Sequence, residues 1–306
     1  MSIAQGSRRQ ILYVAESEWG VRETTPQMTV LRNTGGGGIA VDRSPQQSAE
    51  FRSDRAITDV RLGVQRATFP IPFELTWETY DDFLAAALFG DWSTGVLKQG
   101  TTAHFFDLEE GFTDIAVYLT MIGAMVDTFT LSLQPEGRII TGQFGFIGRK
   151  LIDPETSSGD ATPTAANSNP PFDSFTGFIK KDLVAIGVAT SLDLSVANNL
   201  AAHYILFDDE ASGMGAGRAN ITGTLNAYFT GKDEIEEFLA EDECALQFEL
   251  EDLDGNTYLV DLPRVKWTGN TRNVAENEIT QAMPFQALYD ETEETAMKIT
   301  ATAASS

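Results

Sequence analysis

Residues 66–89 read RATFPIPFELTWETYDDFLAAALF. Phe73, Leu75 and Trp77 alternate with Glu74 and Thr76, which is the period of a strand buried on one face. The period then changes. Asp81 and Asp82 precede apolar residues at helical spacing, Phe83, Ala86 and Ala87. That reads as a short amphipathic helix with acids in its first turn, where the helix dipole favours them.

The same run returns 152 residues later. Arg66 and Ala67 meet Arg218 and Ala219, and Phe73, Leu75 and Trp77 meet Leu225, Ala227 and Phe229. Asp81, Asp82 and Phe83 meet Asp233, Glu234 and Ile235. Beyond the helix the offset falls to 142, laying Phe106, Leu108, Glu109 and Glu110 on Phe248, Leu250, Glu251 and Asp252. It is 140 at Tyr118 and Leu119 against Tyr258 and Leu259, and 139 at Ile140, Thr141 and Phe146 against Ile279, Thr280 and Phe285. Order is kept while the offset shrinks, as it does when loops shorten between copies. A tandem duplication accounts for this; two β-rich domains with generic alternation are the alternative. The expected fold class is therefore mainly β with short helices. It comprises two tandem β-sandwich or barrel domains, 1–152 and 172–306, each with a flanking α-helix. Residues 153–171, rich in Pro, Ser, Thr and Asn, read as an exposed linker between them.

Composition narrows the function. The 306 residues are 42% hydrophobic, enough for packed cores. No apolar run reaches the ~18–20 residues of a membrane span, and no secretory signal is read at the start. The net charge is −24, with 18 acidic and 13 basic residues up to position 150 and 27 against 8 after it. Tight binding to nucleic-acid phosphates needs clustered Lys and Arg, so it is not expected.

Catalytic and metal chemistry finds no support. His104 and His203 have no ligand-spaced Cys or His nearby, and Cys244, the sole cysteine, reads as a strand-packing residue. Residues 35–38 are four glycines followed by Ile39, Ala40 and Val41, which is a loop and not a phosphate cradle. The DLDGN run from Asp252 has Pro263 where a calcium loop needs its closing Glu, so a hairpin turn explains it. No catalytic residue, metal ligand or cofactor is expected. An acidic-site hydrolase is the enzyme reading these counts leave open.

Two features bear on assembly. Pro70 and Pro72 remove donors from one lateral side of their strand, which should therefore be an edge. Residues 43–66 carry five arginines, Arg43, Arg52, Arg55, Arg61 and Arg66, in an otherwise acidic chain. They read either as a mixed-charge loop or as an arm whose guanidinium forks dock on carboxylates of another subunit.

The ordered blocks RRQILYVAES, SAEFRSDRAITDV, FELTWETYDDFLAAALFGDW, HFFDLEEGFTDIAVYLTMIGAMVDTFTLSL and IITGQFGFIGRK resemble the tail tube proteins of long, flexible-tailed bacteriophages. The resemblance covers residues 8–150 and extends to the rest through the repeat. It implies two tail-tube-like β-sandwich domains in a virion structural protein assembled in the bacterial host cytoplasm. It also implies stacked rings, a hollow tube with an acidic lumen for viral DNA, and tape-measure and tail-terminator or tip partners. Two tube units per chain imply a homotrimeric ring with pseudo-sixfold symmetry; a homohexamer is the alternative. Polar alternates of inner strands would then line the lumen: Glu74, Thr76, Asp107, Glu109, Glu249 and Glu251. A virion-surface adhesin or carbohydrate-binding β-module is the competing reading. No membrane anchoring is expected.

Overall fold

A computed structural model describes residues 3–54, 56–135 and 139–304. The first half holds β1 (Arg9–Ala15), β2 (Thr29–Leu31), β3 (Ala40–Asp42), β4 (Pro45–Gln47), β5 (Val60–Leu62), β6 (Arg66–Glu74), α1 (Asp81–Leu88), β7 (Val96–Lys98), β8 (Phe106–Phe112), β9 (Val117–Leu133), β10 (Thr141–Gly148) and β11 (Lys150–Leu151). The second holds β12 (Gly177–Lys181), β13 (Val184–Ala185), β14 (Ala189–Ala197), β15 (Ala201–His203), β16 (Gly213–Gly215), β17 (Asn220–Tyr228), α2 (Asp233–Ala240), β18 (Glu243–Glu251), β19 (Thr257–Trp267), β20 (Thr271–Val274), β21 (Ile279–Ala287) and β22 (Lys298–Thr302). The chain is mainly β with short helices, as its periodicity indicates.

One antiparallel sheet crosses both halves in the order β3–β6–β10–β9–β14–β17–β21–β20. Alternation sets its faces. On β6, Ala67, Phe69, Ile71 and Phe73 are buried, and Thr68, Pro70, Pro72 and Glu74 point the other way. A second layer covers the buried face. Over the first half it is β2–β1–β8 joined to the start of β9. Over the second it is β13–β12–β18–β19–β22, extended by β7 from the first half.

β9 serves both layers. Residues 117–124 pair with β8, residues 125–132 pair with β10, and residues 128–133 pair with β14. The change of layer falls at Gly123, whose φ of +63° suits glycine. A Cβ there would lie 2.9 Å from Arg149 Cβ and 3.0 Å from Trp19 Nε1. Glu16 holds the bend, accepting hydrogen bonds from the backbone N–H of Gly20 and Gly123, each at 2.6 Å. A bulge follows at Asp127, pinned by buried Asn198, whose Nδ2 donates to the carbonyls of Ala87 and Val126.

A single core draws on both halves. Phe83 of α1 packs edge-on against Phe106 and Phe146, at 5.0 and 5.1 Å between ring centroids. Trp77 lies 4.8 Å from Tyr258, and Leu131 meets Leu194 and Leu250 around one small apolar cavity. The helices differ. Every residue of α1 from Phe83 to Leu88 is buried, whereas α2 buries none.

One sequence expectation changes. Residues 153–171 form a strap along the first half, not a free linker. Glu155 exchanges backbone hydrogen bonds with Tyr118, Thr164 pairs with Met28 and Val30, and Asn167 and Asn169 both donate to Trp77 O. Composition favours exposure, but these backbone groups find partners in strands distant in sequence. The glycine run is likewise packed. It covers the proline edge of β6, with Thr34 N–H donating to Pro72 O. A Cβ on Gly37 (φ +66°) would sit 2.3 Å from Pro70 O. The missing donors of Pro70 and Pro72 do mark a sheet margin, and it is sealed by close-fitting backbone.

The halves repeat their pairings. β6–β10–β9–β8 runs in the order of β17–β21–β19–β18. Both helices have eight residues and end in a left-handed residue, Phe89 and Glu241. Pairing shifts one correspondence: Phe73 opposes Gly142 and Ala227 opposes Gln281, so with Gly142 matched to Gln281 the partner of Phe73 is Ala227, not Leu225. A slip of two residues preserves every face, so alternation alone does not detect it.

Candidate assembly surfaces

The open face of the long sheet is a carpet of small polar side chains. β9 presents Thr128, Thr130 and Ser132; β14 presents Ser191, Asp193 and Ser195; β17 presents Thr222, Thr224 and Asn226. Across β6, β10, β9, β14 and β17 its charged residues are Arg66, Glu74 and Asp193. Asp193 accepts a 2.6 Å hydrogen bond from Ser132 Oγ across the join between the halves. Hydroxyl and amide groups at strand spacing remain hydrated without carrying charge, so the face has no cluster of cations to grip a phosphate backbone.

Of the acids expected to line a lumen, Glu74 is on this face. Thr76 lies just beyond β6 and is buried, its Oγ1 bonded to Thr79 Oγ1. Asp107 and Glu109 are buried completely, a correction to the lumen assignment. They sit on β8 beneath the strap, where Glu109 accepts from Ser158 Oγ at 2.6 Å and from Gly159 N–H at 2.8 Å. Its neighbour Glu110 accepts from Arg9 Nε at 2.6 Å and Ile39 N–H at 2.9 Å. Burial, and then the carboxyl of Glu16, push Asp107 up to about 8. Glu249 and Glu251 are also reassigned. β18 belongs to the second layer, and its Leu246, Phe248 and Leu250 turn inward, so these two glutamates face away from the long sheet.

The arm between β3 and β6 is a hairpin of β4 and β5. Three of its arginines, Arg43, Arg52 and Arg61, are engaged inside the chain. Arg52 makes a two-pronged contact with Asp54, at 2.9 and 2.6 Å, and Arg61 reaches Asp59 at 2.9 Å. Asp54 is held down at about 2 by Arg52. Arg43 pairs with Asp209 and donates to Gly63 O, tying the arm's root to the second half. Arg66 begins β6 opposite Asp42, and Arg55 lies outside the described residues. Beside these exposed ion pairs the arm turns apolar side chains outward: Phe51 (106% exposed), Ile57, Val60 and Leu62. The adjoining loop adds exposed Ile205, Leu206 and Phe207, and its Tyr204 OH donates to Gln65 O. Counting arginines misses these residues; the signal available was four large apolar residues spaced through a segment with no strand period long enough to bury them.

Elsewhere the polar groups have structural roles. Burial pushes the Cys244 thiol up to about 12. Asp252 accepts from the backbone N–H of Asp254 and Asn256, closing the hairpin after β18. Among the described residues, no group of three or more His, Cys, Asp or Glu is placed to hold a metal ion, and no helix is long and apolar enough to cross a membrane.

No curated protein matches the chain. The profile of the phage tail tube protein family matches residues 6–287. With the match running through both halves and the strap between them, the chain belongs to the phage tail tube protein family.

Proposed function

We propose that this structural tail protein assembles into rings that stack into a hollow tube, with the open face of the long sheet turned to the lumen and viral DNA passing along it. The observation that carries the reading is the continuity of that sheet through the β9–β14 pairing, which sets the two halves edge to edge as neighbours in a wall. Each half acts as one tube unit, so three chains complete a ring. Three copies of the eight-stranded sheet make about 24 strands; at ~4.8 Å spacing and about 40° tilt, the barrel is roughly 48 Å across, with room for a duplex. Its lining is mostly neutral hydroxyls and amides, with Asp42, Glu74 and Asp193 as the acids and Arg66, opposite Asp42, as a base, inside a chain of net charge −24. Such a wall repels phosphates at long range and offers them no cluster of cations at contact.

The apolar arm reaches the neighbouring ring, and tape-measure and terminator or tip proteins meet the tube at its core and ends. Assembly takes place in the bacterial cytoplasm, and the protein performs no catalysis. Negative-stain microscopy of purified protein tests the reading, with native mass measurement of any rings. Stacked rings of three chains are expected. Rings of six would remove the two-unit assignment, and a persistent monomer under all conditions would remove the tube.

A further inference from the structure

We propose that rings close through one specific seam, in which β20 of one chain pairs antiparallel with β3 of the next copy. This rests on the ring reading above and names the edges that meet.

The template lies inside the chain. Between the halves, β9 pairs with β14 from Thr128 opposite Ala197 to Leu133 opposite Leu192. β9 is also paired to β10, and that ladder has a one-residue bulge after Gly145. In the second half β21 occupies the place of β10. Its partner strand runs from Trp267, opposite Phe285, to Thr271, opposite Ala282. Three residues there span two of β21, so the bulge recurs at the matching point. β20 therefore stands to β21 as the end of β9 stands to β10. On the other flank, β14 pairs with β17 as β3 pairs with β6.

These relations single out the two unfilled edges. β9 and β14 each have both edges occupied. Among the described pairings, β20 has only β21, and β3 has only β6. All residues of both strands are exposed, Val274 to 72%. Its counterpart Leu133 is buried by the internal join. Exposed edges with free backbone groups invite strand addition, and the internal join specifies which addition repeats the geometry. Carrying the register across, Thr130 opposite Ser195 becomes Thr271 opposite Ala40 of the next copy, and Leu133 opposite Leu192 becomes Val274 opposite Gly37.

The two joins are unequal. Within the chain the second layer is also bridged, by β7 pairing with β22. The second half has only Glu241 and Asp242 between α2 and β18, so it has no strand to offer in that role. The seam between chains is thus narrower than the seam within one.

The test places cysteines across the seam in the assembled protein. Opposed residues on neighbouring strands have Cβ atoms about 4.5–5.5 Å apart, near the span of a disulfide. The Ala40→Cys, Thr271→Cys double variant, oxidised after assembly, should give covalent dimers and trimers on a denaturing gel, while each single variant stays monomeric there. Hydrogen exchange on the unmodified protein is the second measurement. Within residues 40–42 and 271–274, the amides that do not face β6 or β21 should exchange at least tenfold more slowly in tubes than in monomers. Tubes in which those amides exchange as in the monomer overturn the seam and leave the ring reading intact. If the unmodified protein forms no rings, the ring reading falls and the seam falls with it.

Discussion

Gly37 and Asp107 show what single positions contribute. Gly37 has φ +66° and no space for a Cβ, whereas Gly35 has φ +78° and open space around it. Gly37→Ala must both strain the backbone and push the loop off Pro70, so a loss of about 1–3 kcal/mol in urea denaturation is expected, with Gly35→Ala losing less. Asp107 makes a pH prediction. Its folded pKa is raised, by burial first and Glu16 second, so the folded chain binds a proton that the unfolded chain has released. Its contribution is fully present below about 4 and is lost as pH rises towards about 8. Asp107→Asn should therefore flatten the decline in the urea midpoint between roughly pH 5 and pH 8. An unchanged slope would mean that Asp107 is not the group responsible. Neither position declared its role in the sequence. The run of glycines was visible, but its fit to Pro70 depends on a contact more than 30 residues away.

Elements were more legible than their surroundings. The alternation of β6 and the acid-led start of α1 follow from local periodicity, which needs no knowledge of partners. The strap was misread, and the arm stayed open between two readings, because both depend on where polar groups find partners. Arg52 and Arg61 meet acids two residues away, so their charge is spent locally, and Phe51, Ile57, Val60 and Leu62 remain for contact. Two sets of variants separate these contributions. Arg52→Ala with Arg61→Ala should leave tube formation within about twofold of the unmodified protein, since exposed pairs contribute little. Phe51→Ser with Leu62→Ser should abolish stacking while moving monomer stability by no more than about 0.5 kcal/mol, because both residues are already exposed. Sedimentation measures the first quantity and urea denaturation the second. Stacking lost with the arginines and kept without Phe51 and Leu62 would return the arm to electrostatic docking.

For the whole molecule, charge and assembly pull against each other. Each chain carries a net charge of −24, and bringing copies together concentrates like charge. The sequence made this visible through its counts and indicated β layers through its repeat. It left the acids unplaced, because a carboxylate on an alternating strand has the same signature whether it is buried under a strap, like Glu109, or open like Glu74. With Arg43, Arg52 and Arg61 paired internally and the long sheet's face nearly neutral, the proposed assembly rests on backbone pairing and apolar burial, neither of which salt weakens. Salt does screen the repulsion, over a Debye length of about 10 Å at 0.1 M and about 3 Å at 1 M. Raising NaCl from about 0.02 M to about 0.5 M should therefore lower the protein concentration at which tubes appear, by roughly an order of magnitude, since ~1.4 kcal/mol of relieved repulsion is a tenfold change. Light scattering across a dilution series reads this directly. Tubes that dissolve as salt rises would instead identify ion pairs between copies as the principal attraction, and would point back to the arginines of residues 43–66.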